Sequence, residues 1–265
     1  MHPIILFLLI KKLFNIRSIS LISFDNSKLI NEYSEDGFTS IKLSNSELNY
    51  LSLYNKVIRK MIFLNRFFFK RIFIDKKYYL YTNSNIVKHQ LFFPNIENIL
   101  KKRLNNLFED ILGKNYYITS FLWQRNMHFP ENYSEELYSN FWHYDFKRQP
   151  NRWCRVMVYL NDQEEKESIH LFKLNTSKNA MKNELYGRYS EENLPELIKN
   201  EKYLSSPGPK GTIKIINTAD LLHRAGHLKK GKTRDVFFII MQSKYKWNDN
   251  PKFLLPPENK MVNLT

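Results

Sequence analysis

Cysteine is nearly absent from this 265-residue chain: Cys154 is the only one. That excludes an intramolecular disulfide and any cysteine-built zinc site, and a reducing compartment is the natural setting. Glycine is scarce too, 7 in all. No glycine-rich phosphate loop and no Gly-x-Ser-x-Gly nucleophile elbow occurs, which argues against a nucleotide-cradling P-loop and a serine hydrolase of that class. The apolar run Ile4 to Ile10 has seven residues, against the roughly 20 that a spanning helix needs. No basic residue precedes it and no small-residue cleavage site follows, so it matches a secretory signal poorly. It reads as a buried structural segment, with an interfacial anchor as the alternative. No internal repeat is visible.

Positive charge is present in excess. Lys and Arg number 41 against 26 Asp and Glu, a formal net charge of +15. Part of that reflects a general richness in Lys, Asn and Ile. The remainder favours anionic partners: nucleic acid, a phospholipid surface, or a phosphorylated or carboxylated substrate. Residues 56–77 concentrate it, with eight Lys or Arg and one Asp set among large apolar residues. That segment is either an amphipathic element with its aromatic side in the core and its lysines in water, or a face for an acidic surface. The 43% hydrophobic and 15% aromatic content supports a folded chain with a bulky core.

The spacing predicts a short helix over 25–38 that ends near Gly37, and a clear one over 95–112. In the second, Ile96, Ile99, Leu100, Leu104, Leu107, Phe108 and Ile111 recur at three- and four-residue steps, with Asn95 as cap and Gly113 as stop. Strand-like stretches follow at 116–124, 155–160, 212–217 and 235–242. Helices come first and strands later, so no regular βαβ alternation exists. The expectation is a mainly β (α+β) domain spanning 1–265. Its parts would be a largely helical portion over 1–113, a β core over 114–243 and a tail over 244–265. The polar stretch at about 163–210 reads as a lid or insertion, with Ser190-Glu191-Glu192 as a helix start inside it.

The chemistry begins at FWHYDFKRQP, residues 141–150. His143 and Asp145 are two apart, and residues i and i+2 of an extended chain point to the same side. Chance alone produces such a pair in roughly one sequence of this composition in four. A facial iron(II) site takes two imidazoles and one carboxylate, so a further histidine is required, and His170, His223 and His227 are the candidates. Eleven residues after His223, Arg234 opens a strand in which Arg234, Val236, Phe238 and Ile240 share a face. A cation at the head of an apolar inward face is costly unless an anion meets it, and a guanidinium suits a carboxylate.

In order and spacing, WHYD at 142–145, VYLND at 158–162, GTIKIINT at 211–218, HRAG at 223–226 and Arg234 resemble the iron(II)/2-oxoglutarate-dependent oxygenases, in particular the phytanoyl-CoA dioxygenase-like branch. EDGFTSIKL at 35–43 and ILG at 111–113 extend the likeness over most of residues 30–243. The resemblance implies a double-stranded β-helix (jelly-roll, cupin-like) core with flanking N-terminal helices. It implies His143, Asp145 and His223 as ligands of Fe(II), Arg234 on the distal carboxylate of 2-oxoglutarate, and Gln124 near that cosubstrate. The implied reaction consumes O2 and 2-oxoglutarate, releases succinate and CO2, and hydroxylates a substrate C–H bond. Halogenating relatives lack the carboxylate that Asp145 supplies, which favours hydroxylation.

The chain also departs from the pattern. QEEKESIHLFKLNTSK follows the LND turn where the family has Gly-Pro and Pro-Gly-Ser-His stretches, and Ala225 stands where a small hydroxyl often helps hold 2-oxoglutarate. Nucleic-acid demethylases of the superfamily add an Arg six residues after the first, and here that residue is Ile240, which disfavours a nucleic-acid substrate. Many protein and peptide hydroxylases hold 2-oxoglutarate with a Lys instead. The expected partner is therefore a small-molecule or lipid- or sugar-linked, anionic metabolite. The expected setting is cytoplasmic, with peripheral membrane contact through the basic segment. The competing reading is a non-catalytic jelly roll that binds an acidic membrane or nucleic acid.

Overall fold

The computed structural model describes residues 26–64, 73–75, 78–79, 81–82, 104–113, 116–128, 140–145 and 153–243. The apolar run at 4–10, the start of the 95–112 helix, most of 65–77, residues 146–152 (with Phe146, Lys147 and Arg148) and the tail 244–265 lie outside them.

Helix α1 (Asn26–Asp36) leads directly into strand β1 (Phe38–Lys42). Leu29 and Tyr33, one helical turn apart, are its buried residues. It stops where expected: the Gly37 N–H bonds Tyr33 O at 2.9 Å, and Gly37 has φ +80°, a conformation that side chains resist. Helix α2 (Asn45–Leu64) begins with a capping box. Glu47 reaches back to accept from the Ser44 N–H at 2.7 Å, using a carboxylate on an otherwise unsatisfied donor. Residues 104–112 form α3, which ends with the Gly113 N–H on Glu109 O.

The strands β2 (Phe73–Asp75), β3 (Tyr78–Tyr79), β4 (Tyr81–Thr82), β5 (Tyr116–Met127), β6 (Trp153–Tyr159), β7 (His170–Phe172), β8 (Tyr203–Ser205), β9 (Thr212–Ile216), β10 (His223–Arg224) and β11 (Thr233–Ser243) pair antiparallel. They build a six-stranded sheet in the order β1-β9-β6-β11-β5-β4, a three-stranded sheet in the order β10-β7-β8, and the small pair β2-β3. From β6 onward the chain crosses to the smaller sheet (β7, β8), returns (β9), crosses again (β10) and returns (β11), the winding of a double-stranded β-helix. Among the described residues the sheets do not close into a barrel.

Alternation along the strands divides the core. One face of the large sheet (Val156, Val158, Ile213, Ile215, Phe237, Ile239, Met241) meets the helices through Leu29, Tyr33, Leu51, Leu104, Leu107 and Phe108. The other face (Met157, Tyr159, Ile216, Val236, with Phe238 partly buried) meets Ile169, Leu171 and Leu221 of the smaller sheet and the turn before β10. Arg234, Val236 and Phe238 share this inner face, as the alternation predicts.

The stretch 163–210 carries a large share of this architecture. It contributes β7 and β8, and also α4 (Leu174–Lys182) and α5 (Glu196–Lys199), whose Ala180 and Ile198 are fully buried. Ser190-Glu191-Glu192 does not start a helix. The Ser190 hydroxyl accepts the Asn193 N–H at 3.2 Å and closes a turn, and α5 begins only at Glu196, after Pro195. A proline drives the preceding residue, here Leu194, away from helical φ/ψ, so a helix begun at 190 cannot run through it. Among the described residues no helix is long and apolar enough to cross a membrane.

Candidate metal centre

Three side chains separated in sequence converge where the smaller sheet receives one more strand segment. His143 and His223 form a backbone bridge: the His143 N–H donates to His223 O at 2.9 Å, and the His223 N–H to His143 O at 3.0 Å. The Asp145 N–H donates to Thr218 O at 3.1 Å, which fastens the far end of the segment to the turn after β9. The extended backbone then places His143 and Asp145 on one side. Asp145 Oδ1 lies 3.8 Å from His143 Nε2 and 3.8 Å from His223 Nε2. All three potential donor atoms fall within 4.8 Å of one another.

The tautomers are fixed by backbone acceptors. His143 Nδ1 is 2.6 Å from Phe141 O, and His223 Nδ1 is 2.9 Å from Leu221 O. A carbonyl can only accept, so each Nδ1 carries the proton and each Nε2 keeps its lone pair, the arrangement that metal-binding histidines use. His223 Nε2 is buried with no hydrogen-bond partner. Burial lowers the His143 imidazole from 6.5 to about 3, reinforced by His223 beside it. His223 is lowered as well, again chiefly by burial. Burial pushes the Asp145 carboxyl upward, but Arg155, His223, a Thr218 hydrogen bond and His143 together outweigh it and hold the group below its usual range. Two neutral imidazoles and one ionised carboxylate, with a buried unpartnered nitrogen among them, are the donor set that suits iron(II) in a facial site.

Arg155 is the residue that motif spacing does not reveal. It projects from the inner face of β6 and pairs with Asp145 Oδ2 at 2.7 Å, its guanidinium resting over the Phe238 ring at 5.4 Å. With Oδ2 engaged, Oδ1 is left facing the two imidazole nitrogens. A signal was present in the sequence: Arg155, Met157 and Tyr159 alternate on one face of a strand, which is the same pattern that drew attention to Arg234.

Arg234 is 4% exposed, and its Nη1 donates to Glu167 O at 2.7 Å and Gly226 O at 3.5 Å. Burial depresses its pKa; Tyr159 and Glu167 oppose that. Gln124 sits in register with Val236, and Asn126 with Arg234, so both line the same inner wall. The Gln124 amide donates to Asn126 Oδ1. Gly226 is needed for close approach: a Cβ there would lie 2.2 Å from Ser168 O and 2.5 Å from Lys166 O, both backbone atoms. Gly226→Ala therefore has to part the segment just after β10 from the 165–168 turn, the two segments whose carbonyls accept from Arg234. We expect it to destabilise the fold by about 1–3 kcal/mol; denaturant unfolding with unchanged stability would remove this packing argument.

The other histidine candidates do not join the cluster. His170 is in register with Arg224 and stacks on Tyr203 at 5.0 Å, with its Nδ1 buried and unpartnered. His227 is exposed and lines a cavity of about 130 Å³ with Arg224, Glu191 and Asn140. Trp142, fully buried, packs behind the metal-facing segment against Phe172 at 4.5 Å and under Arg224 at 4.9 Å. His170 gives a pH prediction. Burial, then Arg224, lowers its pKa from 6.5 to about 4. The unfolded chain takes up this proton first, so the associated stability is present above pH 6.5 and is lost as pH falls towards 4. After solvent screening the loss is on the order of 1–2 kcal/mol. Unfolding measured from pH 7 to pH 4 is expected to show a correspondingly shallower decline in His170→Phe.

No family model matches the sequence, and no curated protein matches it significantly. Solved structures do match. AviO1 from Streptomyces viridochromogenes Tue57 superposes with a TM-score of 0.55 at 13% identity, covering 86% of this chain and 99% of that one. The epimerase SnoN in complex with Fe3+, alpha ketoglutarate and nogalamycin RO gives 0.57 at 13% identity, covering 88% and 92%. EctD from S. alaskensis with bound Fe gives 0.58 at 13% identity, covering 85% and 79%. At these identities the likeness is one of fold, and it meets the expectation of a cupin-like jelly roll.

Proposed function

We propose that this chain is an iron(II)- and 2-oxoglutarate-dependent oxygenase that hydroxylates a C–H bond of a small, anionic metabolite. The observation that carries the reading is the convergence of His143, Asp145 and His223 with both Nδ1 protons given to backbone carbonyls, leaving two Nε2 lone pairs and Oδ1 aimed at one point. The fold supports it: SnoN and EctD hold iron on the same scaffold, and HygX from Streptomyces hygroscopicus was solved with nickel, 2-oxoglutarate and hygromycin B bound.

Bound iron(II), with 2-oxoglutarate and dioxygen, would supply the oxidising power that turns C–H into C–OH while succinate and CO2 leave. The protein's own residues do the rest. Asp145 stays ionised because Arg155 holds its second oxygen. Phe141 O and Leu221 O orient the imidazoles. Arg234, at the opposite end of the inner wall from Arg155, receives the distal carboxylate of 2-oxoglutarate, with Gln124 and Asn126 beside it. Met157, Tyr159, Leu171 and Val236 form the buried apolar cluster of the inner face and would keep water from the reacting centre.

The test is direct. Anaerobic protein given iron(II) and 2-oxoglutarate should develop the weak visible charge-transfer band of a chelated pair, and His143→Ala should lose it. Absence of both band and iron uptake in the wild type would sink the proposal. Product analysis then separates hydroxylation from other outcomes on this scaffold, since SnoN is an epimerase and SnoK a carbocyclase.

A further inference from the structure

Among the described residues the inner face of the large sheet carries Arg155, Arg234 and Lys214, with Lys42 at its exposed edge, and the two arginines have evident occupations. Arg155 pairs with Asp145, and Arg234 donates to the carbonyls of Glu167 and Gly226. Lys214 has none. It lies on β9 between Ile213 and Ile215, whose side chains face the helices, so its own side chain shares the inner face with Ile216. It is in register with Met157 on one side and Ser40 on the other, and it is 6% exposed. Among the described residues it has neither a hydrogen bond nor an ion pair.

An ammonium on so nearly buried a side chain, with no anion beside it, is costly, and a neighbouring lysine adds to the cost. Lys42, exposed on the edge strand β1, adds a like charge, and burial followed by Lys42 lowers the Lys214 pKa from 10.5 to about 8. The stem lies on the inner face, and the ammonium reaches towards the exposed sheet edge at Ser40. Position supplies a reason for a lysine here. Arg155 is in register with Ile216, so Lys214 is its diagonal neighbour, about 7–8 Å away between Cα atoms. It therefore stands one step from the residue that clamps the metal-facing carboxylate. On the other side, Ser40 and Lys42 are exposed at the sheet edge. Lys42, Lys214 and Arg155 thus form a line of positive charge running from solvent towards the metal centre.

We infer that Lys214 anchors a carboxylate or phosphate group of the organic substrate beside the metal centre. The inference rests on the oxygenase reading for the word substrate, but the anion site can be tested without turnover. The full-length protein is pulsed with acetic anhydride, and acylation of Lys214 is followed by mass spectrometry, with Lys28 as an exposed control. Inorganic phosphate and acetate are added separately, at ionic strength matched with sodium chloride, with and without manganese(II) and 2-oxoglutarate. Phosphate or acetate is expected to slow labelling of Lys214 about fivefold at a few times its dissociation constant while leaving Lys28 unchanged; which of the two protects identifies the group. Protection of Lys214 by 2-oxoglutarate alone would overturn the inference, because the residue would then hold the cosubstrate. Equal labelling in every arm would overturn it too. A wild-type protein lacking the visible band but showing phosphate protection would refute the oxygenase reading and leave the anion site standing.

Discussion

Arg234→Ala is expected to weaken 2-oxoglutarate binding by about 3 kcal/mol or more, roughly a hundredfold in Kd. The guanidinium is buried and is the cation proposed to meet the distal carboxylate. Removing one member of a buried charge pair costs more than the pair contributes, because the remaining charge is left desolvated. The substitution also removes the donor to Glu167 O, so the ligand-free protein should lose some stability. Arg234→Lys separates the two effects: it keeps the charge but loses the fork geometry, and its affinity should fall between those of wild type and alanine. Titration of the visible band with 2-oxoglutarate reads the affinity, and thermal unfolding of ligand-free protein reads the stability. Unchanged affinity in Arg234→Ala would show that the cosubstrate's distal carboxylate is held elsewhere.

Arg155→Met should act on the metal centre without touching a ligand atom. Asp145 is buried, and it is Arg155 above all that offsets the upward push of that burial. Deleting the guanidinium leaves a carboxylate beside two neutral imidazoles; the pair is only half-buried on the Arg155 side, so the loss is about 2–3 kcal/mol. For a domain of this size that is roughly 5 °C in melting temperature. The sign is specific. The loss should be largest in metal-free protein, because a bound divalent cation would supply the positive charge that Arg155 gave. Excess manganese(II) should therefore recover part of the lost melting temperature in Arg155→Met and add less to wild type. The carboxyl's raised pKa should also make metal binding fade at a higher pH than in wild type, since protons compete for Oδ1. Equal melting temperatures of metal-free wild type and variant would mean that the 2.7 Å contact carries no weight.

These two arginines show how much of the site the sequence made legible. Arg234 stood out because it heads an apolar strand and follows His223 at a recognisable distance. Arg155 obeys the same rule in Trp153–Tyr159, yet no spacing to a histidine marks it, and its partner Asp145 lies across an intervening segment. The strands at 116–127, 153–159, 212–216 and 233–243 were readable because β-branched and aromatic residues alternate or run continuously there. β7 and β8 were not. They are three residues each and sit in a polar stretch, so hydrophobic periodicity has no length over which to register. Pro195 explains the displaced helix start, a local rule that the acidic triplet at 190–192 obscured. Lys214 could not be read at all from composition, because its meaning depends on which face of β9 it occupies.

The backbone bridge between His143 and His223 has a consequence for how the molecule is held together. Its two members are eighty residues apart in the chain. An ion gripped by both imidazoles would close that loop as a covalent staple does, and restricting the unfolded chain over such a length is worth about 4 kcal/mol on a chain-entropy account. With a single buried thiol, Cys154, the chain has no covalent way to make such a closure. A chelator would then do to it what a reductant does to a disulfide-bonded protein: loosen the junction of the sheets first, and leave the helix-covered face of the large sheet the last part to exchange its amide hydrogens.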